Sequence, residues 1–309
     1  MNNEEVGEFC MRVTKTFSIA NPVPFVDVHV HRDNLLFLDP SAIRNGKGKY
    51  ATAANSALVA FFGEVLRLRL STASGDHVKG QELLGHLHEP NETRLGMSVK
   101  SKFGRAFGDE ESKDLWDLLD KSHEARIAVL TRLEHLRLFA DGVGYDLISD
   151  ATTRIVFHVL ADFTADMMNT YPSLAAGAAT DEYDLFDPAS LTWKKRNLTL
   201  PVADGRPLLL VPKEWVYWRL LMDVSPFYNR YATETLQIEQ TVIGSDGKAR
   251  KPSKKKLNES NPDKRELNRK QATKYKEQDN RNLVDEYQQE VDSDFAPLTD
   301  DDIRNRTEL

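Results

Sequence analysis

Phe25-Val-Asp-Val-His-Val30, Leu35-Leu-Phe-Leu38 and the run ATAANSALVAFFGEVLRLRL at 51–70 decide the fold class. The first alternates apolar and polar residues, the period of a half-buried strand. His31-Arg-Asp-Asn34 supplies turn residues, and the apolar run 35–38 reads as a second, more buried strand. Asp39-Pro40 then starts a helix or turn, because proline fits the first helical position. Residues 51–70 carry helical spacing. Strands followed by a helix predict a mixed α/β chain.

Working outward, residues 71–108 hold many Gly, His and basic residues with little periodicity, and read as a long irregular stretch of the kind that carries function. Asp109 to Leu136 reads as one helix, with Asp109 and Ser112 as caps and Leu115, Leu118, Leu119, Ile127, Leu130 and Leu133 as its apolar stripe. Asp141-Gly-Val-Gly144 breaks the chain, and Ser149-Asp150 would cap a further helix over 150–169. Residues 172–192 read as loop. Asn197–Leu200 and Pro207–Val211 flank Ala203-Asp-Gly205, a hairpin signal. Trp215–Tyr231 is aromatic-rich and reads as helix; it is core or an interface. Beyond Ser245 the chain is charged and partly helical between about 263 and 292. The expected architecture is a mixed α/β body over 1–245, with a central small sheet and flanking helices, and a charged C-terminal appendage over 246–309.

The 309 residues are 40% hydrophobic and 29% charged, with one cysteine. No apolar run approaches the ~20 residues that span a membrane, and MNNEEVGEF lacks the blocks of a signal peptide. Cys10 excludes an internal disulfide and a zinc–cysteine cluster. A cytoplasmic protein is expected, with no membrane association. The net charge of −7 hides an asymmetry: residues 248–281 hold 13 Lys/Arg and 5 Asp/Glu, which leaves −15 on the rest. A basic segment on an acidic body is the form of a nucleic-acid arm, each lysine releasing a counterion from phosphate. A solvated helix that keeps the chain soluble is the plain alternative. Residues 279–309 reverse the sign, with 10 acids and 3 arginines.

Three constellations carry candidate chemistry. In HLHEPNETRLGMSVKSKFGRAFG (86–108), Glu89 and Glu92 suit a hard cation such as Mg²⁺ or Mn²⁺. Arg94, Lys100, Lys102 and Arg105 suit phosphate; a solvated loop with a turn at Asn91-Glu-Thr93 is the alternative. Asp141, Asp146 and Asp150 form the second cluster, with Asp146 and Asp150 as a metal pair or Asp150 as a cap. The third is Leu208-Leu-Leu-Val-Pro-Lys213, where a lysine leaving a buried strand would stabilise charge on a phosphate, or simply snorkel. His29 and His31 also alternate, with Asp27, Asp33 and Asp39 around them, and most of these are expected on the wet face of a hairpin. No Walker loop, dinucleotide fingerprint or G-x-S-x-G elbow is present.

Taken together, LLFLDP (35–40), LHEPNETRLG (87–96), DGVGYDLISD (141–150) and LLLVPK (208–213) resemble a family of uncharacterised bacterial proteins associated with phage-defence or mobile gene neighbourhoods, over about residues 23–230. The order of acid, hairpin and strand-end lysine is also similar to restriction-endonuclease-like nucleases, whose core sets an acid on one strand and acid-x-Lys on the next. That resemblance implies Asp146 or Asp150 as first acid and Lys213 as the lysine. Val211 stands where the second acid belongs, so Glu89, Glu92 or Asp204 would have to replace it.

The expected function is a metal-dependent nuclease or phosphodiesterase. Asp146, Asp150, Lys213 and Glu92 would be its catalytic residues, and Glu89, Glu92, Asp146 and Asp150 would hold Mg²⁺ or Mn²⁺. Arg94, Lys100, Lys102, Arg105, Lys254, Lys255 and Lys256 would bind nucleic acid. The alternative is a non-catalytic accessory or sensor subunit that binds a protein partner, nucleic acid or a second copy of itself. An enzyme on a small nucleotide, using the 89–105 loop, ranks last.

Overall fold

The computed structural model describes residues 11–96, 109–121 and 129–308. Helix outweighs strand, 55% to 13%, so the mixed class holds and helices supply most of the framework. The longer helices are α1 (Pro40–Asn45), α2 (Gly48–Leu70), α3 (Asp76–Gly85), α4 (Asp109–Lys121), α5 (Tyr145–Ile155), α6 (Phe157–Thr170), α7 (Thr233–Glu239), α8 (Lys254–Ser260), α9 (Lys264–Asp279), α10 (Leu283–Ser293) and α11 (Asp300–Thr307). The strands are β1 (Phe37–Leu38), β2 (Ala179–Asp187), β3 (Thr192–Leu200), β4 (Val202–Ala203), β5 (Arg206–Pro207), β6 (Val216–Tyr217), β7 (Val242–Ile243) and β8 (Ala249–Arg250). They form separate antiparallel pairs, β1–β6, β2–β3, β4–β5 and β7–β8, where one central sheet was expected. The chain divides into two compact units: one of residues 1–116, 144–220 and 296–309, the other of 117–143 and 221–295. No division falls at 245.

In the first unit the framework is α2 with the β2–β3 hairpin. Ala54, Leu58, Phe61, Phe62, Val65 and Leu68 recur at helical spacing and are buried. Phe61 meets Phe186 edge-on at 5.0 Å and Trp193 at 6.0 Å. Removing a ring such as Phe61, 0% exposed, from water contributes roughly 2–3 kcal/mol. Asp39 begins α1 as expected, its carboxylate accepting from the Ser41 amide with Pro40 at the first helical position. The stretch 71–108 is not wholly irregular, since α3 and a 3₁₀ turn at Asn91–Thr93 lie within it.

Several expected elements are redrawn. Residues 25–30 are not a half-buried strand: both phases of the alternation are buried, Phe25 and His29 as well as Val26, Val28 and Val30. Only isolated bridges, Arg12↔His29 and Phe25↔Pro212, touch them, because Pro24 and Pro212 have no N–H for a ladder. His29 is therefore not on a wet face; burial first, then Arg12 and Arg32, push its pKa down to about 4. Residues 179–187 are strand, not loop. The strand shows no alternation because only its Leu185–Phe186 end is covered, and cross-strand pairs such as Lys195–Glu182 line the open end. Asp204-Gly205 does turn the chain, both residues at positive φ. Its strands are only β4 and β5, however, because residues 197–200 pair with 179–182 instead.

The helix expected over 109–136 does not reach Leu136 unbroken: residues 129–131 are not helical, and the Thr131 amide donates to the His135 ring instead of a helical carbonyl. Ser112 is no cap; its hydroxyl donates to the Leu84 carbonyl. The helix expected over 150–169 starts at Tyr145 with Gly144 in the cap position and breaks at Val156, so Asp150 is not a cap. In the 215–231 stretch, Val216–Tyr217 pair with β1 and helix begins only at Val224.

The second unit closes around Tyr228, Ala232, Leu236, Leu257 and Leu267, all buried. A π-helical turn over Tyr228–Ala232 joins a single α turn at Val224–Phe227 to α7. Phe227 stacks on Tyr231 at 5.6 Å, and Tyr287 of α10 packs on both. Asn268 of α9 is wholly buried and donates to the Leu138 and Val224 carbonyls. The charged segment thus contributes core residues of its own.

Candidate functional site

The site is built on a knot of backbone bonds in the first unit. Buried Asn34 donates its amide side chain to the carbonyls of His29, Arg32 and Arg94 and accepts from the His29 amide. Backbone bonds from Asn34 to Arg94 and from Gly96 to Asn34 finish the seam. This fixes the 31–34 turn against the loop that follows Pro90. Arg94 stands in the left-handed region at φ +58, 3% exposed. Its guanidinium donates to the carbonyls of Val30, Asn91, Ala203 and Arg206. Burial lowers its pKa to about 10. Arg94 is a strut, not the phosphate contact expected of it; its donors are spent on backbone.

The first turns of α5 lie beside this seam. The Leu38 amide donates to Ser149 Oγ at 2.9 Å, and the Tyr145 ring packs on Phe37. Asp146 and Asp150 stand four residues apart on this helix, hence on one face, where like charges repel. Asp146 approaches Gly96: a side-chain carbon placed there would sit 3.9 Å from its Oδ1. Asp33 and Glu89 enter the same field. Burial pushes the Asp150 carboxyl up to about 8, with Asp146, Glu89 and Asp33 adding to it. Glu89 is raised by burial and by Asp33 and Asp146. Asp33 is raised by burial, with Arg206 and Arg94 pulling the other way. Four carboxylates from three segments thus share one electrostatic neighbourhood. Among the described residues no three His, Cys, Asp or Glu side chains are drawn into a group that could hold a metal ion: the acids stand within range of one another's charge, not in ligand geometry.

Of the residues expected at the site, Glu89, Asp146 and Asp150 converge. Glu92 does not join them; its charge acts on Arg94, Arg154 and Tyr183. Lys213 is ion-paired with Asp300 of α11 and lines a separate cleft of about 290 Å³ with Arg12, Asp27 and Arg304. Lys100, Lys102 and Arg105 lie outside the described residues. Lys254 pairs with Glu234 and Lys255 with Glu259, while the Lys256 amide, in the first turn of α8, donates to the Ser253 cap. Asp33 is the member that sequence reading missed; its turn carried no chemical signature. A second cleft, of about 530 Å³, opens between α2, α3 and β2–β3. His86 lies there, stacked on Trp193 at 5.2 Å and 3.6 Å from Asp184, away from the four acids. Among the described residues no helix is long and apolar enough to cross a membrane.

Residues 18–222 match a domain of unknown function, DUF8370, and the match takes in all four carboxylates. No curated protein matches the chain, and no solved structure does either. The matched span covers well over half of the sequence, and the chain belongs to the DUF8370 family.

Proposed function

We propose that the chain is a divalent-metal-dependent phosphodiesterase acting on nucleic acid, with Asp33, Glu89, Asp146 and Asp150 as its carboxylate set. One observation carries this reading: carboxylates from three segments are held together at a cost, and Asp150 is pushed up to about 8. A strongly perturbed acid within the field of other carboxylates is a mark of acid–base and cation sites. Mg²⁺ or Mn²⁺ would be held by these oxygens and would supply an activated water and charge neutralisation at a phosphate. In the metal-free chain Asp150 keeps its proton to about pH 8, and a bound cation would displace that proton as Asp150 joins the ligands. Lys213 and Arg94 have no part in this set, being committed to Asp300 and to backbone. The phage-defence setting and a cytoplasmic location enter through the resemblance and the sequence composition.

A non-catalytic accessory role is the second reading, favoured by the lack of closed ligand geometry among the described residues. One experiment separates the two. Labelled single- and double-stranded DNA and RNA are incubated with the full chain and Mg²⁺ or Mn²⁺, and metal binding is followed by calorimetry. Cleavage by the wild type, lost in Asp150→Asn and Asp146→Ala along with metal binding, is expected. Intact substrates under both metals would hand the protein to the accessory reading.

A further inference from the structure

Residues 242–250 form a two-stranded ribbon whose paired residues are all exposed. Val242 pairs with Arg250 and Ile243 with Ala249, around a turn at Ser245-Asp-Gly247 with Gly247 at φ +77. Side chains alternate across a ribbon, so Val242, Arg250 and Lys248 share one face, and Ile243 and Ala249 the other. Val242 and Ile243 are 61% and 69% exposed. A lone two-stranded hairpin is marginal in water, and Val242 and Ile243 stand bare on its two faces.

Charge identifies the partner. From Lys248 to Lys256 the chain carries six cations and no acid. Arg250 lies over Gly244, where a side-chain carbon would stand 3.0 Å from its Nε, and reaches Asp246 at 3.4 Å. Lys248 and Lys251 have no ion pair among the described residues. A polyanion with a groove answers both features. The B-DNA major groove, ~12 Å wide, admits a two-stranded ribbon and offers thymine methyls to apolar side chains. The major groove of A-form RNA is too deep and narrow to be read in this way.

We propose that the 242–250 ribbon is a duplex-DNA contact, with the face that carries Val242 turned into the groove and Lys248, Arg250 and Lys251 on phosphates. The inference rests on the nucleic-acid reading above for its class of partner. It uses none of the carboxylates, and the ribbon lies outside residues 18–222.

The test is fluorescence anisotropy of the full chain on a labelled mixed-sequence DNA duplex, with EDTA present to exclude cleavage. Binding that weakens with salt is expected. The triple variant Lys248→Ala, Arg250→Ala, Lys251→Ala should bind roughly 10- to 100-fold more weakly and flatten the log–log salt slope by about 3. Val242→Ser should lose about 2- to 5-fold with the slope unchanged. All four side chains, on the ribbon or just after it, are exposed, so circular dichroism and melting should match the wild type and report any misfolding directly. Equal affinity for duplex RNA of the same sequence, preference for phosphatidylglycerol vesicles, wild-type affinity in either variant, or no duplex binding would each overturn the proposal. A chain that binds through the ribbon but cleaves nothing with either metal upholds this inference and removes the phosphodiesterase. Cleavage with affinity unchanged in both variants does the reverse.

Discussion

Asp150→Asn keeps the shape of the side chain and removes its charge, so it asks directly what the carboxylate cluster costs the fold. In the folded chain the Asp150 carboxyl moves from 3.8 up to about 8. A raised acid binds its proton more tightly folded than unfolded, so stability is highest at low pH and is lost as pH rises from the unfolded value towards the folded one. At ~1.4 kcal/mol per pH unit, that displacement sets a ceiling of ~6 kcal/mol on the loss. Asp146, Glu89 and Asp33 share the field and can take protons in turn, so about 2–4 kcal/mol is expected between about pH 5 and pH 8.5. The assay is the urea midpoint of wild type and variant across that range, at fixed ionic strength with metal chelated. The stability difference should widen in favour of Asp150→Asn as pH rises and level off above about pH 8. Added Mg²⁺ should then narrow the gap at the alkaline end by stabilising the wild type alone, since a ligand that binds only the folded state stabilises it. A difference that is flat with pH, or one that grows in favour of the wild type, would refute a raised Asp150 carboxyl and with it the reasoning built on the cluster.

Two further outcomes test the framework. A side-chain carbon added at Gly80 would stand 2.2 Å from ring atoms of Trp116, which is 3% exposed; Gly80→Ala should lower stability by about 1–3 kcal/mol despite its better helix propensity. Gly63 in α2 has open space around it, so Gly63→Ala should gain about 0.5–1 kcal/mol, and urea midpoints that rank the two variants the other way would sink the packing argument. Arg94→Met leaves four backbone carbonyls without their guanidinium and should cost about 3–5 kcal/mol. Arg94→Lys should recover only part of that, because one ammonium cannot reproduce a planar fork; a midpoint for Arg94→Met within about 1 kcal/mol of wild type would count against the strut.

The parts of this fold that were legible are those whose signal is local. Helix α2 shows its periodicity in Ala54, Leu58, Phe61 and Val65, Asp39-Pro40 shows its cap, and Asp204-Gly205 shows its turn. What stayed hidden depends on partners distant in sequence. The strand over 179–187 is held by residues 192–200 and covered at one end only, so it carries no alternation to read. The burial of 25–30 on both faces arises because Val211 and Met11, far off in sequence, supply its backbone acceptors. At the site, Glu89, Asp146 and Asp150 were legible as carboxylates in loops and helix entrances. Their fourth member was not, because Asp33 joins them only through the seam that Asn34 makes with Arg94 and Gly96.

The same distinction separates cations that build the fold from cations that remain for a ligand. Counted along the sequence, 248–281 is a uniform block of positive charge. In the structure Arg265 pairs with Asp141, Lys274 with Glu239 and Arg281 with Glu286, while Arg269 donates to the Phe139 carbonyl. The helical part of the block therefore spends much of its charge inside its own unit, and the counterions it would release from a polyanion fall accordingly. The ribbon and the run behind it keep Lys248 and Lys251 outside ion pairs among the described residues, next to the exposed β-branched Val242 and Ile243. In the first unit the acids follow the opposite logic, held together where burial first, and then their mutual repulsion, raises Asp150 and Glu89. Local rules of charge and burial are broken at both places, and such breaks concentrate where a chain meets what it binds. A cation on the acids and an anion on the ribbon would relieve the two violations separately, which is why metal binding and duplex binding can be tested, and lost, one without the other.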